Sequence, residues 1–170
     1  MLSILDVAPD FKAFGVRGRG EPVETSLSGL RGGWVLIFFY PHDFTRVCPT
    51  EIRELSKRRA ELGAEVLACS VDDAATHRRW IAEVLGEVGF PLLADPGGAI
   101  ARTYGALLEG EGVAARASFA IDPQGVIQYA AVHNLNVGRS ISELARVMEA
   151  LQTGDAVAVG WQPGQPTLGR

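Results

Sequence analysis

The chain has 170 residues, enough for one ordinary domain and for two only if both are small. Hydrophobic residues make up 47% and charged residues 21%, the balance of a globular protein with a sizeable core. The formal net charge of −4, with no basic stripe or long charge run, excludes nucleic acid as an expected partner.

Two cysteines are too few for a disulfide framework, and three scattered histidines lack ligand spacing, so neither a metal nor another cofactor is expected. The N-terminus lacks a charged region followed by a long apolar stretch, and no apolar run could cross a bilayer. The expectation is a soluble cytoplasmic protein with no membrane partner.

Residues 34–40 form a continuous apolar run ended by Pro41, the pattern of a strand buried on both faces. A helix is predicted from Cys48 to Leu62, with Pro49 at its first position and Gly63 as its stop. A second apolar strand covers 64–71. The next helix, 74–86, places His77, Trp80, Ile81, Val84 and Leu85 on one face. A short strand near 91–94 precedes the turn Asp95-Pro96-Gly97-Gly98 and a short helix reaching Tyr104. Strands 116–122 and 126–132, joined by Pro123-Gln124-Gly125, read as a hairpin. The last helix starts at Ser140, with Glu143 completing a capping box and Ile141, Leu144, Val147, Met148 and Leu151 as its buried stripe.

This order is βαβ and parallel at first, then a hairpin and a final helix. The predicted fold is α/β, a mixed central sheet flanked by helices in the thioredoxin-like arrangement. One domain is expected over 1–153, followed by a Gly- and Pro-rich tail over 154–170. The tail's apolar segment, Ala156 to Trp161, is expected to pack on a partner subunit.

The informative segment runs from Tyr40 to Glu51, where a buried strand ends and a helix begins. Active sites of open α/β sheets sit at such ends. A thiol in the first helical turn meets unpaired backbone N–H groups and the positive end of the macrodipole, which favour thiolate. Ionisation alone gains about 30-fold in thiolate population, far below ordinary enzymic accelerations of about a millionfold, so the site must also orient substrate and stabilise charge. Thr45, three residues before Cys48, has a hydroxyl able to accept from a peroxide, and Arg116 at a strand start is a candidate cation. The competing reading of Cys48 is an inert, packed thiol. The chemical reading requires an accessible sulfur beside Thr45 and a guanidinium.

Phe39-Tyr40-Pro41, Asp43-Phe44-Thr45 and Val47-Cys48-Pro49-Thr50-Glu51 together resemble the active-site signature of peroxiredoxins. The nearest branch is the typical two-cysteine group, which includes the peroxidase component of bacterial alkyl hydroperoxide reductase. The likeness continues through Ser70-Val71-Asp72, Thr76-His77 with Trp80, Phe90 to Asp95, Arg116 to Phe119, Ile121-Asp122-Pro123, and Val137-Gly138-Arg139-Ser140. It implies a thiol peroxidase acting on hydrogen peroxide and organic hydroperoxides. Cys48 would be the peroxidatic cysteine, Thr45 would orient the peroxide, Arg116 would stabilise the thiolate, and Pro41 would shield the pocket. Glu51 and Arg139 would form a supporting ion pair; a solvated surface pair is the other reading. For Trp80, core packing is favoured over a site role. The resemblance also implies a homodimer, or a ring of dimers, with the strand at 126–132 as a candidate edge.

The chain departs from the group where a resolving cysteine belongs. Counting back from Trp161, that position holds Val157, which forms no disulfide. Cys69, in an apolar strand, reads as a core residue. The expectation is a one-cysteine mechanism in which an external thiol, from a thioredoxin-like protein or a small molecule, reduces the Cys48 sulfenic acid. Arg46 adds a positive charge to the loop or is simply solvated, and His42 reads as solvated rather than as a base. Thiol–disulfide exchange is disfavoured because Glu51 stands where a Cys-x-x-Cys motif needs its second thiol. A redox-dependent chaperone or peroxide sensor using the same cysteine is the alternative function.

Overall fold

The computed structural model describes residues 2–170. Its centre is the strand the apolar run predicts: β3, Val35–Phe39, with every residue buried. Parallel to it lies β4, Glu65–Ser70, with Phe39 opposite Cys69. Between these two strands in the chain stands α1, Cys48–Arg58, followed by a 3-10 turn that Gly63 ends in the left-handed region. On the other flank of β3 the hairpin β8, Arg116–Ile121, and β9, Ile127–His133, adds two antiparallel strands.

Two strands of the main sheet escape the sequence pattern: β1, Lys12–Gly18, and β2, Glu21–Ser26. In β1 the alternation is inverted, with Ala13, Gly15 and Val16 buried while the large Phe14 stands 64% exposed. A Cβ on Gly15 would lie 2.1 Å from the Leu92 carbonyl oxygen, so the backbones approach where no side chain fits. The partner of β1 is β5, Val88–Ala94, longer than predicted and paired parallel to β4. Pro91 of β5 lies in the register shift opposite Val16 to Gly18, where the ladder does not need its missing N–H.

The two β6–β7 strands, Leu107–Leu108 and Val113–Ala114, form a separate small ribbon. The main sheet has the order β2-β1-β5-β4-β3-β8-β9. On one face pack α1; α2, Ala74–Trp80, with the π-helical turn Ile81–Leu85 that continues it; and α4, Ile141–Thr153. On the other face packs the short α3, Ala99–Thr103, with Tyr104, Phe39 and Phe119. This is the mixed, helix-flanked sheet of the thioredoxin-like fold. The predicted helix over 74–86 is thus two kinds of turn, closed by Gly86, whose N–H donates to the Ile81 carbonyl.

At the start of α4, Ser140 accepts from the Glu143 N–H at 3.2 Å, but the Glu143 carboxylate pairs with Arg146. The capping box is therefore present in only one of its two halves. In the tail, Trp161 is buried against its own chain, its carbonyl accepting from Arg146 and its indole N–H donating to Gln165. Val159 and Leu168 remain exposed. Among the described residues no helix is long and apolar enough to cross a membrane.

Candidate active site

Strand β3 delivers the chain to Tyr40, the loop 41–47 turns it, and Cys48 opens α1. The first turn of α1 leaves backbone N–H groups without helical partners, and Val47 supplies no side-chain cap. Cys48 therefore sits where the helix is most positive.

Its sulfur receives the guanidinium of Arg116, at 3.4 Å from Nη1. The same Nη1 donates to Glu51 Oε2 at 2.7 Å, and Arg116 Nε donates to the Leu135 carbonyl at 2.7 Å. Glu51, one turn along α1 from Cys48, also accepts from Arg139 through its backbone N–H, Nε and Nη2, at 2.7, 2.9 and 3.0 Å. Arg139 Nη1 donates to the Ala117 carbonyl and to Ser118 Oγ, and the guanidinium lies over the Phe38 ring. All three charged side chains are buried. Two cations and one carboxylate leave a net charge of +1 beside the sulfur, which a thiolate neutralises.

Burial pushes the Glu51 carboxyl up, but the hydrogen bonds and charge of Arg139, with Arg116 behind them, outweigh it and hold the group below its ordinary value. The pair expected as either a support or a solvated surface bridge is thus an internal one. Its geometry is bidentate, the form in which such pairs are strongest.

Thr45 lies exposed on the loop, its hydroxyl donating to the His42 carbonyl at 3.1 Å. That bond uses the proton and leaves the oxygen's lone pairs free to accept. Pro41 is buried at the loop's start. The structure therefore gathers Cys48, Arg116, Glu51 and Arg139 into one hydrogen-bonded cluster, with Thr45 and Pro41 on the adjoining loop and Thr45 bonded to backbone rather than to sulfur.

One expectation needs correcting. Cys48 has no exposed surface; it borders a cluster with Tyr40, Ile52 and Trp80. The sulfur is covered but not in hydrocarbon alone, because a cation faces it.

Cys69 is on the other side of the sheet. It belongs to the cluster of Phe39, Leu67, Leu93 and Tyr104, whereas Cys48 belongs to that of Leu36, Phe38 and Tyr40. Burial, aided by nearby Asp95, pushes the Cys69 thiol well above its ordinary value. Both cysteines are free thiols.

Behind the loop lies a polar group that the residue pattern leaves without a role. Tyr40 OH donates to Asp43 Oδ1 at 2.9 Å, and His77 Nδ1 meets Asp43 Oδ2 at 2.7 Å. The Asp43 N–H donates to Asp72, which also accepts from Ser70 and contacts half-exposed His42. The sequence signals are His77 on the apolar face of its helix and the fall of Tyr40, Asp43, Asp72 and His77 within family-like blocks. Trp80 is fully buried and stacks on Tyr40, as core packing requires.

The AhpC/TSA family profile matches residues 4–130. A candidate peroxiredoxin in the rubredoxin operon of Clostridium pasteurianum is 43% identical over 170 residues, covering 95% of this chain and 96% of that one. Peroxiredoxin-2 of Macaca fascicularis is 43% identical over 173 residues, 95% of this chain and 87% of its own. The solved structure of the reduced 2-Cys peroxiredoxin of Plasmodium vivax superposes with a TM-score of 0.92 at 35% identity, covering 98% of this chain and 93% of that chain.

Proposed function

The chain belongs to the AhpC/TSA family and is a thiol-dependent peroxidase of the peroxiredoxin kind, and we propose that it works through Cys48 alone, with an external thiol as reductant. The Cys48 thiolate attacks the terminal oxygen of hydrogen peroxide or an organic hydroperoxide. The O–O bond breaks, the sulfur keeps the hydroxyl as sulfenic acid, and the departing alkoxide or hydroxide takes a proton to leave as alcohol or water. Arg116 faces the sulfur and the charge that develops as the bond breaks. Thr45 accepts from the peroxide's O–H, and Pro41 closes the pocket. Glu51 and Arg139 hold Arg116 in place. Because the sulfur is covered, the loop 41–47 has to give way by a small movement to admit even a peroxide.

A first external thiol condenses with the sulfenic acid, releasing water and leaving a mixed disulfide. A second thiol releases Cys48 and departs as the oxidised disulfide. The observation that carries the one-cysteine reading is the placement of Cys69 on the opposite face of the sheet, in hydrocarbon, together with Val157 in the resolving position. A cytoplasmic setting, where small thiols are kept reduced, suits the external-thiol step. The edge strand β9 offers a two-fold pairing site, and exposed Val159 and Leu168 offer tail contacts to a partner copy. The test is peroxide consumption driven by dithiothreitol. Cys69→Ala is expected to turn over like the parent and Cys48→Ser not at all; dependence on Cys69, or a Cys48–Cys69 bond on a non-reducing gel, overturns the proposal.

A further inference from the structure

The three side chains behind the active-site loop come from three elements: Tyr40 from the end of β3, Asp43 from the loop, and His77 from α2. Tyr40 and His77 have no exposed surface and Asp43 almost none. A carboxylate and an imidazole in such a place must satisfy each other or cost several kcal/mol.

The proton arrangement follows from the partners. His77 Nε2 faces the Leu93 carbonyl at 3.2 Å, an oxygen that only accepts, so Nε2 carries a proton. One further proton then lies between Nδ1 and Asp43 Oδ2, in either the imidazolium–carboxylate or the imidazole–carboxylic acid form. Both forms have zero net charge. The Asp43–His77 pair therefore adds no net charge near Cys48, in contrast to the cluster around Arg116.

What it fixes is position. Asp43 is bonded on both carboxylate oxygens and through its backbone N–H, so it is pinned from β3, α2 and the Asp72 turn at once. The next residue, Phe44, has a positive φ of 54°, a conformation that a bulky side chain adopts only when its surroundings impose it. Thr45 follows directly, and its hydroxyl is oriented by the His42 carbonyl of the same turn. We propose that Tyr40, Asp43 and His77 form a positioning triad that sets the Thr45 loop against Cys48, so that reaction with peroxide depends on them while the general reactivity of the sulfur does not. This rests on the peroxidase reading above.

The experiment compares two rate constants for each variant, Cys48 oxidation by hydrogen peroxide in stopped flow and Cys48 alkylation by iodoacetamide at the same pH, with circular dichroism to verify folding. Asp43→Leu and His77→Phe are expected to slow peroxide oxidation about 100-fold, the size of effect a misplacement of about 1 Å produces, while alkylation stays the same or quickens. Asp43→Asn should retain most of the peroxide rate, because its amide N–H can donate to Nδ1 while its carbonyl still accepts from Tyr40. Should Asp43→Leu and His77→Phe not fold, Tyr40→Phe, which removes one hydroxyl, should slow peroxide oxidation several-fold with alkylation unchanged. A parental peroxide rate in Tyr40→Phe, Asp43→Leu or His77→Phe overturns the triad. So does a parallel fall of both rates, or an Asp43→Asn as slow as Asp43→Leu. A parent whose Cys48 does not react with peroxide sinks the peroxidase reading itself, a separate result.

Discussion

Cys48 and Cys69 are both buried thiols packed on opposite faces of one sheet, and what separates them is the company each keeps. Cys48 opens a helix and meets Arg116 at 3.4 Å. Cys69 lies within β4 among Phe39, Leu67 and Tyr104, and the charge acting on it, that of Asp95, has the sign that disfavours a thiolate. Burial alone therefore decides nothing about reactivity; the sign of the nearest charge and the end of the nearest helix do.

The contrast between the two thiols depends most on Arg116. Arg116→Met leaves the Glu51–Arg139 pair in place but takes the cation from the sulfur. Peroxide oxidation of Cys48, followed by stopped flow, should fall about 100- to 1000-fold, the usual loss when one stabilising donor is removed. A smaller loss in activity but the largest in stability is expected for Arg139→Met. That change removes two of the hydrogen bonds Glu51 accepts and strands Ser118, and should cost about 3 kcal/mol or more in urea unfolding.

Acid sharpens the same point. Glu51 is held below its ordinary value of 4.5, so its contribution is fully present above that value and is lost as pH falls through the lower, folded one. The stability gap between the parent and Glu51→Gln should be constant above about pH 5 and narrow below it, as read by denaturant titrations at several pH values. The smallest effect belongs to Cys69→Ala, which should lose about 1 kcal/mol of packing and leave turnover unchanged.

The sequence was most legible where one side-chain pattern meets one physical demand. The run 34–40 announced β3 because both its faces are covered, and Pro49 with Gly63 bracketed the first helix and its final turn. Cys48, Arg116, Glu51 and Arg139 were legible through the family-like blocks, and their cluster has the charges that the chemistry needs. Strands β1 and β2 were not legible, since Phe14 points outward where Ala13 and Gly15 point in, and β2 is a charged edge. The Tyr40–Asp43–His77 group was hidden for another reason: its members are 34 residues or more apart across the His77 contact, and only tertiary packing joins them.

On the one-cysteine mechanism proposed above, one sulfur carries the peroxide chemistry and the other takes no part. The most direct measurement is mass spectrometry of both cysteines after one equivalent of hydrogen peroxide in the presence of dimedone. The expected result is the dimedone adduct of a sulfenic acid on Cys48 and an unmodified thiol at Cys69; an adduct on Cys69, or a disulfide joining the two, overturns the one-cysteine mechanism.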